Sequence, residues 1–174
     1  MTSDDRPAIF KGRYFALMAD PVHAEYVACG DEVLVVALTD AGEVLLTVEP
    51  SAAFAGPTTI LPGGGTSPKR THAETANLEL QEEVGLKAGR LDSLGELRPF
   101  SKYLTTRSFV YLARDLVPSR AAGDEPYEIG VERVPLARFE TLIAAGHLLD
   151  ARAIAALFLA RSFLAAENAA QATR

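Results

Sequence analysis

Three glutamates crowd into one short stretch of the chain, "LELQEEVGL", which covers residues 78–86. Glu79, Glu82 and Glu83 lie within five residues of each other, near what the pattern indicates is the end of a helix. Like charges at i and i+4 weaken an exposed helix by only about 0.2–0.5 kcal/mol, which a protein tolerates. The cluster is therefore either a solvated acidic face or a site that binds a cation.

A glycine triplet, 63–65, precedes this stretch. Hard divalent ions such as Mg²⁺ prefer oxygen ligands, and they usually keep several waters alongside one or two carboxylates and substrate phosphates. A backbone carbonyl of the glycine segment could add a further ligand. Such a site would neutralise phosphate charge and activate a water for attack on phosphorus. Taken alone, however, three glycines are typical of a simple turn.

The segment between the glycines and the acids has the signals of a helix. Thr71 and Glu74 fit a capping box, and Gly85 suits the left-handed position that ends a helix. Apolar residues between them recur at helical spacing and form one face: Ala73, Ala76, Leu80 and Val84.

The positions of the acids around this helix favour a site. At about 100° per residue, Glu79 and Glu83 lie together at the edge of the apolar face, with Glu82 farther round on the polar side. Two carboxylates thus border the body of the protein instead of pointing fully into water.

The remaining segments predict a mixed sheet. β-Branched residues at 33–38 and 44–48 flank "DAG" and predict a hairpin. The other predicted strands are 14–20, 25–31, a short piece at 58–61, a pair at 91–100 and 105–116, and a short strand before Pro135. A helix ending at Gly146 and a long amphipathic helix over 148–170 follow. The pattern predicts one α/β domain over 1–174, with a strand-rich lead-in over 1–30.

The composition excludes several classes of protein. With 174 residues, 48% hydrophobic content and a net charge of −6, the chain has no basic surface for nucleic acid or an anionic membrane. Cys29 is the single cysteine, so neither an intrachain disulfide nor a thiolate metal cage is possible. No signal-peptide pattern and no apolar run of about 18 residues is present, which predicts a cytoplasmic protein without a membrane span.

Residues 64–86 resemble the Nudix box, whose pattern is G-x5-E-x7-R-E-U-x-E-E-x-G-U with U apolar. Aligned without gaps, Gly64 takes the first glycine, and the second half is matched by Glu79, Leu80, Glu82, Glu83, Gly85 and Leu86. Arg70 stands where the family has its first glutamate, and Leu78 where it has the arginine. In the family that arginine helps hold the acids in place, so the two exchanges predict an altered support for the site.

The resemblance implies a Nudix α/β/α sandwich with a mixed sheet and a bound Mg²⁺ or Mn²⁺. The implied metal ligands are the Gly64 carbonyl, Glu79, Glu82 and Glu83. The implied catalytic residues are Glu82, Glu83, Glu125 and Glu128. The base that deprotonates the attacking water is not fixed by the box, so Glu82, Glu125 and Glu128 remain alternatives for it.

Substrate contacts are expected from cations and aromatic residues outside the acid cluster. The expected substrate-binding residues are Arg70, Arg98, Lys102 and Tyr103, with Arg70 foremost because it lies beside the glycine loop. Weaker alternatives are Lys69 and Arg107 for phosphates, and Phe100 and Phe54 for stacking on a base.

The segments 123–143 and 150–164 resemble the C-terminal half of the ADP-compounds hydrolases of the Nudix family. The implied function is hydrolysis of the pyrophosphate linkage of a nucleoside diphosphate derivative, such as ADP-ribose or another ADP conjugate. Free nucleoside di- or triphosphates are one alternative substrate class. A second alternative is a non-catalytic nucleotide-binding domain, which Arg70 and Leu78 motivate. Such relatives commonly dimerise through N-terminal strands, so a homodimer without nucleic-acid or membrane partners is expected.

Overall fold

A small antiparallel sheet opens the chain and is attached to the main body along one strand. A computed structural model describes residues 8–19, 25–123 and 125–173. The small sheet contains β1 (Ala8–Lys11), β2 (Phe15–Ala19) and β3 (Glu25–Cys29), in that order. The Val27 N–H donates to the Tyr103 carbonyl at 2.8 Å, and the Thr105 N–H donates to the Val27 carbonyl at 3.1 Å. The β3 backbone therefore fixes the small sheet to the loop that follows the eighth strand.

The main sheet is mixed, with five strands in the order β10-β5-β4-β9-β8 and two short strands beside them. Its strands are β4 (Glu32–Leu38), β5 (Glu43–Pro50), β6 (Pro57–Ile60), β7 (Gly63–Gly65), β8 (Leu86–Leu97), β9 (Ser108–Pro118) and β10 (Gly130–Pro135). The pair β4–β9 is parallel, whereas the other pairs are antiparallel, with β6 on β5 and β7 on β4.

Helices cover both faces of this sheet, because side chains of successive strand residues point to opposite sides. On one face, Val33 and Val35 of β4 share a buried cluster with Ala76 and Leu80, which belong to the first helical segment. On the other face, Val36 shares a cluster with residues of the C-terminal helix, including Ala153, Ala156, Leu157 and Ala160. The predicted α/β/α sandwich with a mixed sheet is confirmed.

The helical segments are the following. Helix α1 spans His72–Glu79 and runs directly into a π-helical turn at Leu80–Val84. A 3-10 turn at Leu136–Arg138 precedes α2 (Glu140–Ala144), and the last helix is α3 (Ala151–Ala172).

Several predicted boundaries need correction. The C-terminal helix begins at Ala151 and not at 148, because Leu148 is fully buried ahead of it and Asp150 caps it. The Asp150 carboxylate accepts a hydrogen bond from the Ala153 N–H at 2.8 Å, as a helix cap does. The glycine triplet is strand β7 rather than a loop, and β1 was not predicted. Part of the predicted lead-in, 1–7 and 20–24, lies outside the described residues.

Helix α3 is long and apolar enough, by length and composition alone, to cross a membrane, with a mean hydropathy of 1.3 over its most apolar window. Charged residues interrupt its sequence, which contains no continuous apolar run of about 18 residues. The helix packs one face on the main sheet, and its side chains Arg152, Arg161 and Glu167 form ion pairs with other parts of the chain. Core helices of soluble proteins can be equally long and apolar.

A charge cluster fixes the second half of α3 to the sheet. The Arg114 guanidinium donates to Glu167 and to Asp92, each at 2.6 Å, and Arg90 donates to both acids as well. Only 17% of the Arg114 side chain is exposed, so water screens this pair less than it screens a surface ion pair. The hydrogen bond from Arg114 lowers the pKa of Glu167 from 4.5 to about 2.

This lowered pKa predicts a loss of stability in acid. A carboxylate with a lowered pKa in the folded state stabilises the fold above pH 4.5, and that contribution is lost as the pH falls towards 2. We expect Glu167→Gln to reduce the melting temperature at pH 7 and to make its decline between pH 5 and 3 shallower. Thermal denaturation across this range measures both effects. Glu96→Gln, which removes an exposed ion pair with Arg98, is the control; equal slopes for Glu167→Gln and the wild type would contradict the assignment.

Candidate active site

The capped helix α1 positions the first acid. The Glu74 N–H donates to the Thr71 hydroxyl at 3.2 Å, and the Glu74 carboxylate accepts from the Thr71 N–H at 2.8 Å, which confirms the capping box. Ala76 and Leu80 are fully buried and hold the helix on the sheet. With its start and its apolar face fixed, the helix holds Glu79 at its last residue, next to the glycine strand.

The second and third acids lie on the π-helical turn rather than on an α-helix. The turn ends at Gly85, whose φ of 73° is the left-handed conformation that the sequence predicted there. A π-turn rotates less per residue than an α-helix, so the wheel at 100° misplaces the residues after Glu79. Glu79, Glu82 and Glu83 all line one cleft, whereas the wheel had placed Glu82 farther round.

Strand β7 contacts two of the acids through its backbone. A Cβ atom built on Gly64 would lie 2.5 Å from the Glu79 carboxylate, so only glycine allows this approach without displacing the side chain. The Gly63 N–H donates to Glu83 Oε2 at 3.1 Å. The glycine strand thus sets the distance between the sheet and the acidic turn.

Glu83 lies in a strongly negative environment. Burial, the largest cause, and the charges of Glu49, Glu79 and Glu125 together raise the pKa of this carboxyl from 4.5 to about 9, although the hydrogen bond from Gly63 acts to lower it. No ion pair to Glu83 is present in the described part of the chain. A cation bound here would relieve this repulsion and favour the ionised form.

A loop between β9 and β10 forms the second wall of the cleft. Its lining residues are Arg120, Gly123, Glu125, Tyr127, Glu128 and Ile129, and the cleft measures ≈ 320 Å³. The Tyr127 hydroxyl donates to Glu49 Oε2 at 3.3 Å, so the loop also contacts the end of strand β5. Asp124, in the middle of this loop, lies outside the described residues.

The residues of the cleft fit a divalent cation by their chemistry. Glu79, Glu82, Glu83, Glu125 and Glu128 all line it, and carboxylate oxygens are the ligands that Mg²⁺ and Mn²⁺ prefer. Within the described ranges, no three His, Cys, Asp or Glu side chains are already grouped as a metal site. The acids therefore surround the cleft without being drawn together in this structure.

The predicted substrate-binding residues lie elsewhere. Arg98 pairs with Glu96 at 2.8 Å, and Lys102 lies over the Tyr103 ring at 5.3 Å from its centroid. Arg70 is exposed next to the start of α1, and none of these four residues lines the acidic cleft. Their roles stay predictions. Nothing in the described contacts explains the leucine at position 78.

Sequence reasoning missed two residues that line the cleft, Arg120 and Tyr127. It also missed Glu49, whose charge acts on Glu83 and whose carboxylate accepts from the Tyr127 hydroxyl. Glu49 follows buried Thr47 by two positions on β5, so alternation carries its side chain to the same face of the sheet. That alternation was the one available signal, since Arg120 and Tyr127 come from a loop without a regular pattern.

Comparison with known proteins shows the family of the chain. Residues 30–157 match the family model for the NUDIX domain, and the chain therefore belongs to the Nudix family. Nudix hydrolases generally require a divalent metal, so membership implies such an ion for this chain as well.

Two relatives are more specific. The ADP compounds hydrolase NudE of Escherichia coli (strain K12) is 37% identical over 101 residues, which are 58% of this chain and 54% of that protein. The chain thus spans about half the length of this curated relative. A crystal structure of an ADP compounds hydrolase superposes with a TM-score of 0.79 at 26% identity and covers 95% of both chains.

The close approach of Gly64 to Glu79 predicts the effect of a single methyl group. We expect Gly64→Ala to displace the Glu79 carboxylate, because the added Cβ would lie 2.5 Å from it. The metal concentration needed for half-maximal activity should rise roughly tenfold or more, the usual scale for disturbed ligand support. Gly65→Ala is the matched control, because an added Cβ there meets nothing within 4 Å. The same metal dependence in both variants would contradict this role of Gly64.

Proposed function

We propose that this protein is a Mg²⁺- or Mn²⁺-dependent hydrolase that cleaves the pyrophosphate linkage of a nucleoside diphosphate derivative, ADP-ribose or another ADP conjugate. The observation that carries the proposal is the cleft lined by five glutamates, one of which, Glu83, has its pKa raised to about 9 by burial and by neighbouring acids. The names of the two relatives support ADP derivatives as the substrate class.

Glu79, Glu82, Glu83 and the Gly64 carbonyl are the residues that would hold the ion. When bound, the ion neutralises phosphate charge and lowers the pKa of a bound water. In the overall reaction a water oxygen forms a bond to phosphorus, the bridging P–O bond breaks, and two phosphate monoesters leave. The protein must also accept the proton that the water loses.

Three carboxylates are candidates for that proton acceptor. Glu82 lies on the π-turn, whereas Glu125 and Glu128 are exposed on the opposite wall, on a loop that can bring an acid towards the substrate. An acid on the loop can act as a base without giving up a metal ligand, which favours Glu125 or Glu128 over Glu82.

A second cavity offers space for the nucleoside. It measures ≈ 570 Å³, lies between the small sheet and the main sheet, and reaches Gly64. Tyr14 and Phe15 supply aromatic surface, while Asp31 and Arg152 supply polar groups at its wall. A base needs both an apolar face and directed hydrogen bonds, and this cavity provides both beside the acidic cleft.

A substrate panel tests the proposal. Release of phosphate and nucleoside monophosphate is measured with Mg²⁺ and Mn²⁺ on ADP-ribose, dinucleoside polyphosphates, and free nucleoside di- and triphosphates. We expect turnover of ADP conjugates and a loss of at least about 100-fold in Glu83→Gln, because a metal ligand is removed. Glu43→Gln, at the opposite end of strand β5 from Glu49, should retain wild-type turnover.

The other outcomes of the panel are equally informative. Preferred turnover of free di- or triphosphates would move the substrate class to the first alternative. Nucleotide binding without turnover under either ion would support the non-catalytic alternative, with Arg70 and Leu78 as its cause.

We also propose a homodimer that uses the small N-terminal sheet. Large apolar side chains of this region are more than half exposed: Ile9, Phe10, Tyr14 and Phe15. An exposed apolar patch of this kind is typical of a protein interface. The cytoplasmic location and the absence of nucleic-acid and membrane partners stay predictions from the sequence.

The dimer can be tested at one aromatic residue. We expect Phe10→Asp to convert the protein from dimer to monomer, because it places a charge within the apolar patch. Light scattering after size-exclusion chromatography measures the mass, and 18.6 kDa is the mass of the monomer. Phe54→Asp is the control, since Phe54 is 77% exposed and lies outside the small sheet. A wild-type monomer at micromolar concentration would rule the proposal out.

A further inference from the structure

Among the described residues that line the acidic cleft, Arg120 is the one positively charged side chain. It has no ion-pair partner within the described part of the chain. Its guanidinium lies at the cleft wall, and Nη1 is 3.6 Å from the position of a Cβ on Gly85. No hydrogen bond or ion pair of its side chain is present among the described residues. Most other arginines are committed to acids: Arg90, Arg98, Arg107, Arg114, Arg133, Arg152 and Arg161.

The backbone around Arg120 is fixed to the acidic turn. The Ser119 N–H donates to the Gly85 carbonyl at 3.0 Å, and the Ala121 N–H donates to the Gln81 carbonyl at 3.2 Å. Both neighbours of Arg120 are therefore hydrogen-bonded to the segment that carries Glu82 and Glu83. The backbone position of Arg120 is therefore fixed relative to the acidic turn.

The Gln81 side chain strengthens this connection. Its Oε1 accepts from the Ser119 hydroxyl at 2.9 Å, and its Nε2 donates to the Asn77 carbonyl at 2.8 Å. Asn77 in turn exchanges two hydrogen bonds with the backbone of Ala88 on β8. The chain of contacts runs from helix α1 through the π-turn to the loop, so it joins the wall with Arg120 to the wall with the metal-binding acids.

We infer that Arg120 binds a phosphate group of the substrate, and this inference rests on the proposed function. A planar guanidinium presents several N–H donors in a fork that matches phosphate oxygens. The cleft is lined by five carboxylates, so a phosphate chain needs a donor on the protein side in addition to a metal ion. Arg120 has donors free for this purpose, whereas Arg98 and Arg107 are already paired with acids.

With this assignment, the cation and the phosphate are bound by different residues. The acids of the box contact the cation, while Arg120 reads the phosphate from the opposite wall. Ser119 and Gln81 are positioning residues, because they reach the substrate only through Arg120. The alternative to phosphate binding is a structural role, in which Arg120 covers the end of the π-turn, where the carbonyl dipoles favour a positive charge.

The experiment compares Arg120→Ala, Arg120→Lys and the control Arg138→Ala with the wild type. Arg138 is exposed, lies outside both cavities and has no ion pair among the described residues. Steady-state kinetics with ADP-ribose and Mg²⁺ give KM and kcat separately. Calorimetry with α,β-methylene-ADP, whose P–C bond resists hydrolysis, measures binding without turnover.

We expect Arg120→Ala to raise both the KM for ADP-ribose and the Kd for the methylene analogue roughly 10- to 100-fold, the scale of a charge-assisted hydrogen bond. Arg120→Lys should give KM and Kd values between those of the wild type and Arg120→Ala, because lysine keeps the charge but lacks the planar guanidinium. Arg138→Ala should match the wild type. Unchanged KM and Kd in Arg120→Ala would overturn the inference while leaving the proposed function intact.

The two proposals can fail separately. A wild-type protein that turns over nothing refutes the proposed function, yet weaker binding of the methylene analogue by Arg120→Ala would still support the inference. A wild-type protein that does not bind the analogue overturns the inference.

The hydrogen bond from the Ser119 hydroxyl to Gln81 supplies an independent test. Ser119→Ala should raise KM by a smaller factor than Arg120→Ala, with kcat changed less than KM, and Ser119→Thr should restore KM because it keeps the hydroxyl. A general loss of folding would lower kcat and the melting temperature together, and it would not separate alanine from threonine. Equal KM values for Ser119→Ala and the wild type would overturn the positioning role.

Discussion

The structure around the cleft depends on holding like charges close together. Glu79 and Glu83 approach the glycine strand, where Gly64 leaves space for one carboxylate and the Gly63 N–H contacts the other. Glu49 adds a further negative charge from strand β5. Repulsion among these groups opposes folding, so the scaffold must hold them by packing and backbone hydrogen bonds. Burial and this repulsion both raise the pKa of Glu83, with burial the larger cause.

The scaffold meets this requirement with short-range constraints. The capping box fixes the start of α1, the buried pair Ala76 and Leu80 fixes its face, and the left-handed Gly85 ends the π-turn. The antiparallel pairing of β7 with β4 then sets the height of the glycine strand above the core. Leu80 and Gly85 lie within two residues of an acid of the cleft, while the capping box acts from the other end of the same helix. The fold therefore places these acids around one cleft, although it does not draw them together into a metal site among the described residues.

The acids and the neighbouring cavity come from different parts of the chain. The acids come from one continuous segment, whereas the cavity beside them combines the small sheet, the loop after β8 and the start of α3. The second wall of the cleft comes from the loop between β9 and β10. In the proposed function, residues from distant parts of the chain therefore form the walls on each side of the phosphates. This division fits a family in which one acidic motif serves different substrates.

The sequence by itself determined the family, the capped helix and the class of fold. These features are local: a cap, a terminal glycine and an apolar period act over a few residues, so their spacing is visible in the chain. Only the tertiary structure showed that Glu82 lines the cleft, because the chain continues α1 as a π-turn and a helical wheel at 100° per residue no longer applies there. It also decided that Arg120 and Tyr127 line the cleft while Arg70 does not, and that Glu49 lies near enough for its charge to act on Glu83. Those positions are set by strand pairing and loop anchoring across about 30 to 80 residues of sequence, and no local pattern encodes such contacts.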